Sequence, residues 1–289
     1  MVIMNKLLRT NFFRLIKNKI FWGIVIITLG IASVLLFNTI INNQGETKES
    51  IDRLLVMYMF FIGIAMAMFT SLFMGTEYSD GILRNKIVIG YSRKDIYLAD
   101  LITSIIVGLC IQFIYMLIVA IIGIPILGTL QMTVEKFLFI ILDIVFIIIT
   151  YASIFTCITL LCSDITISTV SCMILVLIMF IASMALSSTA NAMKYDETYI
   201  QNENGEIEVH QNLNPDYPGD LKKNVAKTIL YCLPTGQTSQ IISQVSKKPF
   251  QITNYMSDNE LKTAFLYSLG VTIIITGVGM YSFKRKDLK

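Results

Sequence analysis

The segment EYSDGILRNKIVIGYSRKDIYLAD, Glu77–Asp100, stands between two apolar runs that are each long enough to cross a bilayer. A plain hairpin between two spans needs only a turn and a few polar residues. Here the connection carries a compact set of charges and its own helical pattern. Within "DGILRNKIVI", Asp80–Ile89, the apolar Ile82, Leu83, Ile87 and Ile89 alternate with Arg84, Asn85 and Lys86 at the spacing of a short amphipathic helix. Gly90 ends it, because glycine tolerates the left-handed backbone of a helix C-terminus. Ser92 then opens the next helix as N-cap, with Asp95 as its capping-box partner, and Asp95 and Asp100 complement the helix dipole.

Outward from this segment the chain is apolar. Of 289 residues 55% are hydrophobic and 15% charged, and the mean hydropathy is +0.68. Soluble domains carry about 25% charged residues, and the polar faces that a soluble core would need are missing over long windows. A helix crosses the hydrocarbon with roughly 20 apolar residues. Six windows qualify: Ile20–Ile41, Leu54–Met74, Leu98–Ile122, Phe137–Leu161, Ile167–Ser187 and Thr263–Phe283. The first is too long for a signal-peptide core and reads as a retained span. Residues 1–187 and 263–289 thus form one transmembrane domain, and 188–262 a loop large enough to be structured.

Basic residues set the orientation. Lys6, Arg9, Arg14, Lys17 and Lys19, then Arg84, Lys86, Arg93 and Lys94, then Lys284, Arg285, Lys286 and Lys289 fall on one side. The two short loops opposite hold Lys48, Arg53 and Lys136. Both termini are therefore expected in the cytoplasm. Ahead of the first span, "NKLLRTNFFRLIKNK" places Leu8, Phe12, Leu15 and Ile16 on one helical face and Lys6, Arg14 and Lys17 on the other. That pattern suits an elbow helix lying on anionic lipid. In the long loop, "TYIQNENGEIEVH" carries a hairpin signal at Asn204-Gly205. "LKKNVAKTILYCLP" sets Val225, Ile229 and Cys232 against Lys222, Lys223 and Lys227. A small extracellular α/β cap is expected between spans five and six.

The chemistry of an enzyme is missing. There is no phosphate loop, HExxH, GxSxG or intramembrane aspartate pair. Cys110, Cys157, Cys162 and Cys172 lie in or beside spans and Cys232 in the long loop, with no CxxC and no histidine partner, so they read as small apolar core residues. His210, the only histidine, reads as a surface residue. Asp143 lies well inside a span and is expected to hydrogen-bond Gln112 or Thr150. Nothing points to nucleic acid.

The elbow helix, the six spans, Glu77-x-x-x-Gly81-Ile82-Leu83-Arg84, Ser92-Arg93-Lys94-x-Ile96, Leu233-Pro234-Thr235-Gly236-Gln237 and the ending "FKRKDLK" together resemble the permease subunits of type-2 ABC exporters. The likeness runs over essentially the whole chain; relatives often carry a proline where "IGYSRK" has none. It implies an all-α integral membrane fold in the bacterial cytoplasmic membrane and a second permease chain, a homodimer. It also implies two copies of a separate ATPase subunit, which would bind the ATP and Mg, so this chain needs no cofactor. The helix around Asp80–Ile89 would be the coupling helix, with Glu77, Asp80, Gly81, Ile82, Leu83, Arg84, Lys86, Ile87 and Arg93 as the residues of contact with that ATPase.

The cargo path of such exporters follows spans two and five. Met57, Met66, Phe69, Met173, Phe180 and Met184 lie there, an adaptable apolar set that suits a hydrophobic or amphipathic peptide better than a drug or sodium. Two other readings stay open: a stand-alone ion antiporter using Asp143, and a peptide-binding immunity or sensor protein using the outer cap.

Overall fold

The computed structural model describes residues 2–42, 51–162, 164–201, 207–245 and 258–286. Apart from one two-stranded hairpin, every described element is helical, and six helical segments are long and apolar enough to cross a membrane. Helix α1 (Val2–Lys17) is followed at once by α2 (Lys19–Asn42). Asn18 makes the corner: its side chain accepts the N–H groups of Ile20 at 2.8 Å and Phe21 at 3.3 Å, which caps α2.

The second span is broken into α3 (Ile51–Met57) and α4 (Met59–Ser79) at Tyr58. The Tyr58 ring stacks on Tyr115 at 4.8 Å between centroids, and its hydroxyl lies 2.7 Å from Thr28 Oγ1. Asp52, in the first turn of α3, is buried and accepts the N–H groups of Gln131 and Met132, which fixes the loop beyond span three.

The short α5 (Ile82–Val88) leads to α6 (Arg93–Ile118), a π-helical turn at Val119–Gly123 and α7 (Ile124–Leu127). The irregular turn precedes Pro125, which has no N–H to give the helix ladder. Then come α8 (Val134–Leu161) and α9 (Ile165–Ala190). Helices α8 and α9 begin two or three residues ahead of their apolar windows because caps, not hydropathy, set their starts. Thr133 and Asp164 accept the first free N–H groups of α8 and α9.

The long loop holds β1 (Tyr195–Gln201) paired antiparallel with β2 (Ile207–Leu213), then α10 (Asp220–Cys232) and α11 (Pro234–Val245). The Asn204-Gly205 turn lies outside the described residues, as do Lys48 and the last three residues of the "FKRKDLK" ending. Helix α12 (Asp258–Arg285) closes the bundle along α8.

Two amphipathic helices face differently from their sequence patterns. On α1 the buried line is Leu7, Asn11 and Leu15, whereas Ile16 is 65% exposed and Arg14 is turned inward. On α10 the buried residues are Ala226, Leu230 and Tyr231, and Val225 and Ile229 are exposed. The reason is the same in both: a helix beside a membrane has two apolar environments, and composition does not say which one an apolar residue meets.

Candidate functional site

The segment Glu77–Asp100 folds as a helix–glycine–capped-helix unit. Gly81, with φ of 67°, turns the chain out of α4 into α5. Gly90 takes φ of 102° at the other end. The N–H of Gly90 donates to Ile87 O at 2.9 Å and that of Tyr91 to Lys86 O at 3.1 Å, the paired bonds of a Schellman ending. The N–H of Asp95 then donates to Ser92 Oγ at 3.1 Å, and the Ser92 hydroxyl donates to Asp95 Oδ2 at 2.7 Å. Replacing Ser92 with Ala is expected to cost about 1 kcal/mol of local helix stability. Hydrogen exchange of the amides at 93–96 checks it: protection there falls while that of α8 stays.

The two faces of α5 differ in kind. Asp80, Arg84, Asn85, Val88 and Ile89 are exposed, Val88 at 78% and Ile89 at 74%. Ile82 and Ile87 are half-buried. Leu83 and Lys86 are buried. The Lys86 ammonium donates to both oxygens of Glu77 at 2.8 and 2.7 Å, to Asn11 Oδ1 at 3.3 Å, and lies 3.7 Å from Asp100 Oδ1. Arg14 pairs with Glu77 from the other side, with its guanidinium 4.7 Å above the Phe73 ring. Asn11 Nδ2 donates to Asp100 Oδ1 at 2.9 Å.

Glu77, Asp100 and Asn11 have no exposed surface. Two cations and two carboxylates thus neutralise one another at the meeting of α1, α4, α5 and α6. Burying ions costs several kcal/mol each unless they are paired and hydrogen-bonded, and here they are both. Asp100, read as a charge for the helix dipole, is instead a member of this cluster. Glu77 and Lys86 point into the chain, so their direct partners are inside it.

Arg93 and Lys286 do related work at the same end of the bundle. Arg93 donates to the carbonyl oxygens of Phe283 at 3.1 Å and Lys284 at 3.2 Å, and also to that of Lys286, which ties the last turn of α12 to the first of α6. Lys286 Nζ donates to Tyr78 Oη at 2.9 Å and to Leu160 O, the end of α8, at 3.1 Å. Burial holds the Lys286 ammonium below the usual lysine range. Basic residues near this end, which sequence reads as topological signals, close the unsatisfied carbonyls of two helices.

At the opposite end α11 does not stand over the bundle. Pro234, Thr235, Gly236, Gln237, Thr238, Gln240, Ile241, Ile242 and Gln244 are all buried. Thr235 donates to Met179 O at 2.9 Å and lies 2.6 Å from Ser183 Oγ. Ser183 lies about 10 Å along α9 from its Ala190 end, at 1.5 Å per residue. Gln237 donates to Tyr231 O at 2.5 Å and Ala264 O at 3.1 Å, and accepts the Ser268 hydroxyl at 2.8 Å.

The Leu233–Gln237 motif therefore builds a re-entrant corner: Pro234 starts the helix, Thr235 holds span five, and Gln237 holds span six. Gly236 packs against the Leu230 carbonyl, where a side chain has no room. Around this corner a cavity of about 460 Å³ opens between α4, α9 and α11.

Of the span residues expected on a cargo path, Phe180 and Met184 line this cavity together with Phe60. Met66 and Phe69 are fully buried, and Met66 packs against Gly108 of α6. Met57 and Met173 are half-buried. Core and lipid are equally apolar, so α4 gives no sequence sign of which methionines face in. Asp143 makes no hydrogen bond with Gln112 or Thr150, contrary to expectation. Thr150 instead donates to Ser268 O and Phe146 O and meets Thr272. No side chain among the described residues bonds the Asp143 carboxyl, whose polar neighbour is the backbone of Phe265.

No curated protein matches the chain. The sequence profile of ABC-2 type transporters matches residues 5–193. That stretch, well over half of the 289 residues, takes in α1, the charge cluster, α5 and the first five spans. A multi-pass helical bundle with a short polar helix projecting between its second and third spans is thus explained as one part of a larger machine. The chain belongs to the ABC-2 type transporter family: it is a membrane-spanning permease subunit of an ABC transporter, partnered by an ABC ATPase.

Proposed function

We propose that this permease is the membrane subunit of an exporter in a bacterial cytoplasmic membrane, with both termini in the cytoplasm and α1 lying on the inner leaflet. A second copy of the chain completes the path, and two ATPase subunits, which hold the ATP and Mg, drive it. The cargo is a hydrophobic or amphipathic peptide that moves along spans two and five.

The observation that carries the reading is the division of α5 into two faces. Asp80, Arg84, Val88 and Ile89 are open to a partner, while Lys86 is bound to Glu77 and Asp100. A push on the open face would not simply bend a loop. It would pass through the charge cluster to the ends of α1, α4 and α6. Glu77, Lys86 and Leu83 thus act as positioning residues, with Asp80, Arg84, Val88 and Ile89 as the contact surface.

The test is co-purification with the ATPase found by cross-linking through Arg84→Cys. Replacing Val88 and Ile89 together with Asp is expected to lower ATPase retention at least tenfold. Exposed positions shift stability by less than about 0.5 kcal/mol, so the thermal midpoint of the permease should stay put. Undiminished retention would remove α5 as the docking element.

A further inference from the structure

Glu77 and Tyr78 are neighbours at the end of α4, and successive residues of a helix point about 100° apart. Glu77 turns to Arg14 of α1 and Lys86 of α5, and Lys86 in turn lies beside Asp100 of α6. Tyr78 turns to the other side of the bundle. Its hydroxyl donates at 2.5 Å to Leu160 O, in the last turn of α8. The Lys286 ammonium, just beyond α12, lies 4.4 Å from the centre of the Tyr78 ring. It donates to Tyr78 Oη at 2.9 Å and to the same Leu160 carbonyl at 3.1 Å.

The carbonyls in the last turn of a helix have no partner within it. That of Leu160 is taken up by a phenol from α4 and an ammonium beyond α12, so one triangle of hydrogen bonds joins the ends of three spans. Apolar packing between helices resists separation but has no direction of its own. Hydrogen bonds fix distance and angle. A displacement of the end of α4 therefore has a defined route to the end of α8.

We infer that Tyr78 and Lys286 are positioning residues of energy coupling, which pass a displacement of α5 through the end of α4 to the end of α8. The inference rests on the reading of α5 as the docking element and adds a branch that the charge cluster does not reach. Arg93 gives α12 a second tie, to α6, so the end of α8 is where loss of the link shows most clearly.

The experiment compares hydrogen exchange of the full permease–ATPase complex without nucleotide and with Mg-ATP and vanadate. In the unaltered chain the amides at 159–162 and at 93–96 are both expected to change protection with nucleotide. Tyr78→Phe keeps the ring and removes the hydroxyl; Lys286→Met removes the ammonium. Each should abolish most of the change at 159–162 and leave that at 93–96. A merely structural cap would shift protection at 159–162 alike with and without nucleotide, so the nucleotide-dependent difference is the readout. The two substitutions combined should cost no more than the larger single effect, as expected of groups that act as one link.

A nucleotide-dependent change at 159–162 that survives either substitution would overturn the inference. So would its loss together with the change at 93–96, or additive losses in the double variant. ATPase retention is measured on the same proteins, since neither residue lies on the exposed face of α5. Retention lost only in the variants would also overturn it, because the link would then serve docking. If the unaltered chain retains no ATPase, the docking reading falls; if it does and 159–162 stay unresponsive, only the link falls.

Discussion

Lys86→Met is expected to destabilise the permease by about 3–5 kcal/mol, the usual cost of removing one partner from a buried ion pair. Among the described residues, Lys86 is the one cation within ion-pair distance of both Glu77 and Asp100. Without it Arg14 still pairs with Glu77, but Asp100 keeps only the Asn11 amide and lies wholly buried. Reversible unfolding in mixed micelles measures the loss, and Arg84→Ala, one turn-face away and exposed, serves as the neutral comparison. Adding Asp100→Asn to Lys86→Met restores the balance of charge and should recover part of the stability. If Lys86→Met stays within 1 kcal/mol of the unaltered chain, the cluster does not hold α5 to the bundle.

Gly236→Ala should be as damaging, for a steric reason. A Cβ on Gly236 would overlap the Leu230 carbonyl oxygen and stand 3.0 Å from the Leu230 carbonyl carbon. That obstacle is backbone, so no rotamer relieves it. The corner between α10 and α11 has to open, which pulls Thr235 from Met179 and Gln237 from Ser268 and Ala264. Buried polar groups separated from their partners cost about 1–3 kcal/mol each, so a loss above about 4 kcal/mol is expected. Gly270→Ala is the control, because nothing lies within 4 Å of a Cβ there and alanine is the better helix former. Thermal unfolding by size-exclusion fluorescence separates the two; parity between them would mean that the corner is loose.

Several parts of this molecule were legible before any coordinates. Gly90 and Ser92 announced the helix ending and the cap around them, because left-handed backbone and N-capping each demand particular residues locally. The Leu233–Gln237 motif entered only through the family resemblance, with no sign of the corner that it builds. Other parts were out of reach. The pattern placed Arg14 among lipid-facing charges and left Glu77 and Lys86 as contacts for an outside partner. Glu77 and Lys86 are nine residues apart, but the groups of α1 that complete the cluster are distant, Arg14 lying 63 residues from Glu77 and Asn11 75 from Lys86.

The sequence by itself determined six stretches long and apolar enough to cross a membrane and, at Gly90 and Ser92, where one helix ends and the next begins, since hydropathy, caps and glycines act over a turn or two. Only the tertiary structure decided which face of α1, α4 and α10 turns inward, that Glu77, Lys86 and Asp100 are buried together beside a half-buried Arg14, and that α11 enters the bundle. Those outcomes depend on long-range contacts between surfaces that are alike in composition, and lipid and protein interior are equally good surroundings for an apolar side chain.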